Sequence, residues 1–274
     1  MKPPRLLMLT TLLFAAILPA IAQDWIDDYF DRVARNQDEQ PHWMTPLATI
    51  TPRLEQELRY DTFWQQQAAG YYSENYDGGK GLELIPANNI EVLINLPPYL
   101  VHNNPKQING WGDESFLMKY RLLSKNEENG NYILTAFLGW SLPTGTYRNG
   151  SLHAALTPTL AGGKGWGNFD IQTTAGIALP TGESRLIGQP VTWNLTSQYH
   201  LLQILWPELE MNYTYFHQGP YDGKTQVFMT PGILFGRFPI WKRVKFVIGG
   251  GMQIAATHFH TYNHGWIFST RMPF

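Results

Sequence analysis

Alternation of side-chain character, repeated from one end of the chain to the other, limits most strongly how this sequence can fold. At the C-terminus Trp266, Phe268, Thr270, Met272 and Phe274 fall on one face, and Ile267, Ser269, Arg271 and Pro273 on the other. Strand side chains turn with a period of two, so such a segment presents hydrocarbon to one side and a wet surface to the other. Residues 190–203 show the same pattern: Val191, Trp193, Leu195, Tyr199 and Leu201 share a face broken only by Ser197, opposite Thr192, Asn194, Thr196, Gln198 and His200. In 111–125, Phe116, Met118, Tyr120 and Leu122 oppose Asp113, Ser115, Lys119 and Arg121. In 207–216, Leu209, Met211, Tyr213 and Tyr215 oppose Glu208, Glu210, Asn212 and Thr214. In 53–64, Leu54, Leu58, Tyr60 and Trp64 oppose Arg53, Glu55, Glu57, Arg59 and Asp61. One such segment suits the edge of a soluble sheet equally well; repetition around the whole chain predicts an all-β protein built on one recurring unit.

The pattern predicts strands over 53–64, 79–86, 89–100, 112–124, 131–142, 152–163, 168–179, 190–203, 206–217, 225–237, 243–257 and 264–274. The Pro86-Ala87-Asn88-Asn89 cluster separates the second from the third. The expected fold is a single antiparallel up-and-down transmembrane β-barrel of about 12 strands over 51–274, the even number that places both termini on one side. Short connections at 124–131, 162–168, 202–206 and 238–242 then fall at the periplasmic end, and mostly longer ones at 65–78, 101–111, 143–151, 180–189, 218–224 and 258–263 outside. Pro97, Pro143 and Pro180 lie at outer strand ends, where a missing N–H costs no ladder bond.

The N-terminus fits export. Lys2 and Arg5 precede an apolar run from Leu6 to Leu18, and Ala20-Ile21-Ala22 supplies the small residues of a cleavage site, so residues 1–22 read as a signal peptide. After residue 22 no apolar stretch reaches the ~18 residues of a spanning helix. Charged residues make up 15% of the chain, against ~25% in an ordinary soluble domain, and aromatics 14%, while mean hydropathy stays negative. That balance arises when half of each strand meets lipid and half a polar interior. The absence of cysteine removes disulfides and thiol catalysis, and a net charge of −2 is no nucleic-acid signature. In the 23–50 segment, Trp25, Ile26, Tyr29, Phe30 and Val33 form one face of a short helix over 24–35, with Asp24 as N-cap. It is expected to lie in the periplasm against barrel or membrane, to plug the lumen, or to be disordered.

Leu142-Pro143-Thr144-Gly145 recurs as Leu179-Pro180-Thr181-Gly182, 37 residues later, which marks one rim position on successive hairpins. With Gly110-Trp111-Gly112-Asp113, Lys119-Tyr120-Arg121-Leu122 and Gly162-Gly163-Lys164-Gly165, these motifs resemble the outer-membrane proteins grouped under the meta-pathway of phenol degradation. The resemblance spans roughly 50–274 and implies a barrel that passes small organic, including aromatic, compounds; it carries over no site residues. The closing strand likewise resembles the C-terminal signal read by the barrel-insertion machinery, through Trp266, Phe268, Met272 and Phe274. Expected partners are therefore that machinery, outer-membrane lipids and lipopolysaccharide, and an unidentified small organic solute.

The alternation turns inward Arg53, Glu55, Glu57, Arg59, Asp61, Glu83, Glu91, Asp113, Lys119, Arg121, Asp170, Gln198, His200, Glu208, Glu210, Arg243, Lys245 and Arg271. Mixed charges in a closed barrel are expected to pair across neighbouring strands, since an unpaired one costs several kcal/mol. Closure of the barrel predicts Arg271 beside Glu55 or Glu57. The lumen is then either a small water-filled pore with mixed walls or a bore filled by paired side chains. A Ser/His/Asn lipase site fails on register, because Ser197 faces out while His200 and Asn194 face in. His258, His260 and His264 have metal-ligand spacing but read as polar loop surface. No catalytic residue, cofactor or metal is expected.

Overall fold

A computed structural model describes residues 25–67, 70–77 and 80–274; the predicted signal peptide lies outside them. The chain forms twelve antiparallel staves. They are β1 (Glu57–Gln66), β2 (Tyr72–Tyr76, continued by Leu82–Ala87), β3 (Ile90–Asn95, continued by Tyr99–His102) and β4 (Gly110–Trp111, continued by Glu114–Lys125). Next come β5 (Tyr132–Leu142), β6 (Ala155–Trp166), β7 (Phe169–Ile177, continued by Leu179–Pro180) and β8 (Gln189–Tyr199). The last four are β9 (Leu205–His217), β10 (Thr225–Trp241), β11 (Val244–Ala255) and β12 (His264–Pro273). Each stave pairs with the next, and β12 returns to β1 with Glu57 opposite Pro273 and Gln66 opposite His264, so the sheet closes on itself.

Burial runs opposite to that of a water-soluble protein. On β1, Arg59 and Asp61 are buried between exposed Leu58 and Tyr60; on β4, Lys119 and Arg121 are buried between exposed Met118, Tyr120 and Leu122. On β9, Glu208 and Glu210 flank Leu209, which is 46% exposed. Polar side chains inside and an apolar belt outside are the two faces of a membrane-spanning barrel wall. No described helix is long and apolar enough to cross a membrane.

Several strand limits differ from the alternation, each for a local reason. Gly81 O accepts from Arg59 N, which keeps β2 beside β1 below the Tyr72–Tyr76 stretch, while Pro97 and Pro98 lack an N–H, so β3 breaks mid-wall and resumes toward the loops. Stave β8 stops at Tyr199 because Leu202 and Gln203 take positive φ of 53° and 62° in the following turn. Gly167, at φ 59°, allows the tight Trp166–Phe169 connection. Most consequential, β1 begins at Glu57, not at residue 53: the alternation of Arg53, Leu54 and Glu55 continues into chain that has left the wall.

Candidate functional site: a lumen occupied by the N-terminal segment

Residues 40–56 thread into the bore from the end of the barrel that carries the tight turns. A helix over 25–38 precedes them, placed across that opening. Val33 on the helix packs with Leu54 and Ile85, with Tyr29 against them, and Arg243 lies over the Phe30 ring at 4.7 Å. The helix C-terminus is tied to the turns: Arg121 donates to Glu39 at 2.7 Å and to Asn36 O at 2.7 Å, and Ser124 Oγ to Glu39 O at 2.7 Å. The helix therefore covers the mouth, and the extended chain behind it fills the lumen. Its sequence shows why: Pro41, Pro46 and Pro52 punctuate a run in which Trp43, Met44, Leu47 and Leu54 are buried. Repeated proline forbids a helix or a ladder strand here.

Wall side chains hold the main chain of this segment from several sides. Arg59 donates to Pro46 O (3.0 Å) and Leu47 O (2.5 Å), and Arg271 to Pro46 O (2.9 Å) and Thr45 O. Gln172 reaches Met44 O (3.0 Å), Arg237 reaches Trp43 O (2.7 Å), Thr135 reaches Pro52 O (2.6 Å) and Lys119 reaches Arg53 O (3.0 Å). Carboxylates take the amides: Glu208 accepts from Leu47 N (3.0 Å), Glu210 from Ala48 N (2.7 Å) and Thr49 N (2.6 Å), and Glu91 from Glu55 N (2.5 Å). Hydrogen bonds to charged groups contribute about 1.5–3 kcal/mol each, so this clasp is a strong one.

Glycines make the room. A Cβ on Gly232 would stand 2.5 Å from Leu47 Cδ1, and one on Gly163 would stand 2.5 Å from the Trp43 ring. Leu47 thereby joins Met44, Trp206, Leu234, Val247 and Ile267 in an apolar cluster inside the bore. At the mouth, His42 N donates to Glu127 at 2.5 Å and its ring lies 2.9 Å from the same carboxylate. Partial burial alone would raise Glu127, but these bonds outweigh it and hold its pKa down to about 2.

The segment separates two cavities that share no lining residue. Toward the loops lies one of about 330 Å³, bounded by Ala48 and Ile50 of the segment and by Leu93, Phe137, Thr159, Thr174 and Asn194 of the wall, with no charged group among its lining. Toward the turns lies one of about 270 Å³, lined by Arg53, Glu55, Glu57, Arg237, Arg243 and Lys245.

The residues turned inward by alternation thus occupy several different settings. Arg53 and Glu55 belong to the segment, not the wall, and pair with each other at 2.9 Å. Glu57, Arg59, Asp61, Glu83, Glu91, Lys119, Arg121, Asp170, Gln198, Glu208, Glu210 and Arg271 are buried in the bore. Pairing across staves occurs between directly opposed Glu91 and Lys119 (2.9 Å), with Glu83 3.7 Å from the same ammonium; Arg59 instead bonds Asp61 on its own stave at 2.8 Å. Arg271 does not pair as expected. It stands opposite Arg59, beside the Glu57 end of the seam, yet its guanidinium goes to the carbonyls of Thr45 and Pro46 because the segment lies within reach. Asp170 accepts from Gln172 (3.0 Å), and His200 stacks on Trp206 at 4.3 Å near the turn-end mouth. Lys245 is exposed in the turn-end cavity. Asp113 leaves the bore: at the loop end it accepts from Gly145 N (2.9 Å) and Ser151 N (2.6 Å), and a Cβ on Gly150 would stand 2.1 Å from its Oδ1. The first Leu-Pro-Thr-Gly copy and the Gly-Trp-Gly-Asp motif therefore form one loop clasp.

Outside, Trp266, Phe268 and Met272 face outward on β12, and Phe274 N bonds Gln56 O at 3.0 Å. Ser197 Oγ bonds Leu209 O, with His200 and Asn194 on the opposite face of the same stave and its extension. His260 is bonded to Thr257 O and Asn263, and His264 lies against Trp64. Among the described residues no group of three potential ligands could hold a metal.

Two solved structures share this architecture. The NanC porin superposes with a TM-score of 0.50 at 7% identity, over 78% of this chain and 98% of that one. An outer-membrane channel from Pseudomonas putida F1 superposes with a TM-score of 0.52 at 12% identity, over 80% and 94%. The likeness is one of fold. No family model and no curated protein matches the sequence, so the resemblance to the phenol meta-pathway barrels rests on its turn and rim motifs alone.

Proposed function

We propose that this chain is an outer-membrane channel for passive passage of small organic solutes, exported by its N-terminal signal and closed at rest by residues 40–56. In that setting the turns and both termini face the periplasm, the apolar belt meets outer-membrane lipid and the acyl chains of lipopolysaccharide, and the Trp266–Phe274 strand is the feature read by the insertion machinery. The observation that carries this reading is that the bore is filled by a separate stretch of chain and not by its own wall. The wall beneath is charged and polar, as a water-filled passage requires, and displacement of the segment joins the two cavities. Similarity of fold to two channel barrels supports the same reading. The uncharged, hydroxyl-rich outer cavity suits small neutral solutes, which is where a role with aromatic compounds would begin.

A lumen so firmly occupied also favours a second reading, a structural barrel that never conducts. The chain has no cysteine of its own, so Thr49→Cys with Asn212→Cys, whose side chains stand 3.3 Å apart, can be joined by a short reducible bis-thiosulfonate linker. In planar bilayers the linked protein is expected to be silent, and reductant to restore the openings seen before linking. Silence in both states establishes the structural barrel instead.

A further inference from the structure

The wall addresses this segment through its peptide groups. Direct bonds to segment side chains are few: Trp43 to Asn131 (2.8 Å), Thr51 to Gln172 (2.7 Å), Thr49 with Asn212 (3.3 Å), Ile85 N to Gln56 (2.9 Å) and the His42 ring with Glu127 (2.9 Å). Against these stand consecutive carbonyls from Trp43 to Leu47, each met by a wall donor, and consecutive amides from Leu47 to Thr49, each met by a wall carboxylate. The principal donors and acceptors are set in stave interiors: Arg59, Arg271, Gln172 and Glu210 are at most 1% exposed. Glu208 and Glu210 form no ion pair among the described residues. Their oxygens accept chiefly from N–H groups, with the Thr196 hydroxyl adding one bond to Glu210. Arg271 likewise has no ion-pair partner among the described residues, so it, Glu208 and Glu210 are each aimed at one half of a peptide unit, while Arg59 serves both Asp61 and the carbonyls of residues 46 and 47.

Side-chain selectivity is confined to two places. Trp43 fills the space left by Gly163 and Gly165 and donates to Asn131 at 2.8 Å. Leu47 enters the pocket opened by Gly232, Gly249 and Gly251, whereas Ala48 and Ile50 face the outer cavity.

We propose that the inner wall is a binding site for an extended peptide, that residues 43–49 are its tethered occupant, and that the solutes it admits are short linear oligopeptides carrying two apolar side chains. This rests on the reading that the segment vacates the bore. Peptide groups repeat regularly along any chain, so recognition of this kind accepts many sequences and discriminates against solutes lacking N–H donors.

The test uses the full chain with its own tether weakened and its wall untouched, as Trp43→Ala, Leu47→Ala and Leu54→Ala together, or Trp43→Ala alone should the triple variant fail to assemble. A dye-labelled, end-blocked peptide of residues 41–56 is expected to bind the purified variant in detergent by fluorescence anisotropy. Adding Glu208→Gln and Glu210→Gln is expected to weaken binding by about tenfold or more, a loss of one strong bond's worth. Methylating the peptide nitrogens of residues 47, 48 and 49 is expected to do the same with every side chain retained. A peptide with alanine at all positions but Trp43, Leu47, Leu54 and the prolines is expected to stay within about tenfold of the parent. Equal binding of the methylated peptide overturns the proposal, as does a variant that conducts but binds no peptide, which leaves the channel standing. Binding without conductance upholds the site and overturns the channel.

Discussion

Glu210→Ala is expected to open the lumen. One carboxylate oxygen of Glu210 accepts from Ala48 N and the other from Thr49 N, with Thr196 Oγ1 also bonding it at 3.2 Å. Alanine leaves two buried amides without an acceptor while the segment stays docked, at about 1–3 kcal/mol each. Outside the bore those amides meet water and cost nothing. The balance between docked and released segment therefore shifts by roughly 2–6 kcal/mol, from about thirtyfold to more than about ten-thousandfold in released population. Glutamine keeps one acceptor oxygen and is expected to give a smaller rise, about tenfold. Single-channel recording reads both as open probability, with heat-modifiable mobility on gels as the check that the barrel has formed. An alanine variant with wild-type open probability disproves the latch.

Arg59→Ala is expected to strike the wall as well as the latch. The guanidinium bonds Asp61 through Nε at 2.8 Å, holds Pro46 O and Leu47 O through its other nitrogens, and is 1% exposed. Its removal leaves the Asp61 carboxylate buried without that partner, which costs about 3–5 kcal/mol. The barrel should lose its heat-modifiable fold at markedly lower temperature or urea concentration than the wild type. The double replacement Arg59→Met with Asp61→Leu removes both charges at similar volume, so most of the stability should return. Closure should not, because neither new side chain can bond the carbonyls of residues 46 and 47. If the double variant regains a quiet lumen together with its stability, Arg59 serves the wall alone.

Sequence pattern revealed the wall far better than what the wall holds. Alternation at Glu208, Leu209 and Glu210 or at Met118, Lys119 and Tyr120 reports directly on a two-faced strand, because lipid and water impose opposite demands on neighbouring residues. Alternation at Arg53, Leu54 and Glu55 reports nothing of the kind. A segment inside a charged bore with one apolar corner produces the same spacing, and only Pro41, Pro46 and Pro52 signal that it is not a strand. The inward direction of Arg271 was readable and its partner was not. That partner is a pair of main-chain carbonyls, and every residue carries one, so no residue type announces it. The same holds for Glu208 and Glu210, which resemble an ordinary acidic stripe until the amides opposite them are located. Asp113 was misplaced for a different reason: at a strand end the alternation continues by one residue past the wall, into loop geometry set by Gly145 and Gly150.

The seam bears on the order of events during biogenesis. Residues 40–56 lead directly into β1, and β1 is the stave on which the last one, β12, must close. Arg271 belongs to that last stave, and it is Arg271 that grips Thr45 and Pro46. The inner lock thus arrives with the final strand, and the step that seals the wall also secures its contents. On the proposed channel reading, a newly assembled molecule is therefore shut from the start, and passage through it awaits whatever later draws the segment out.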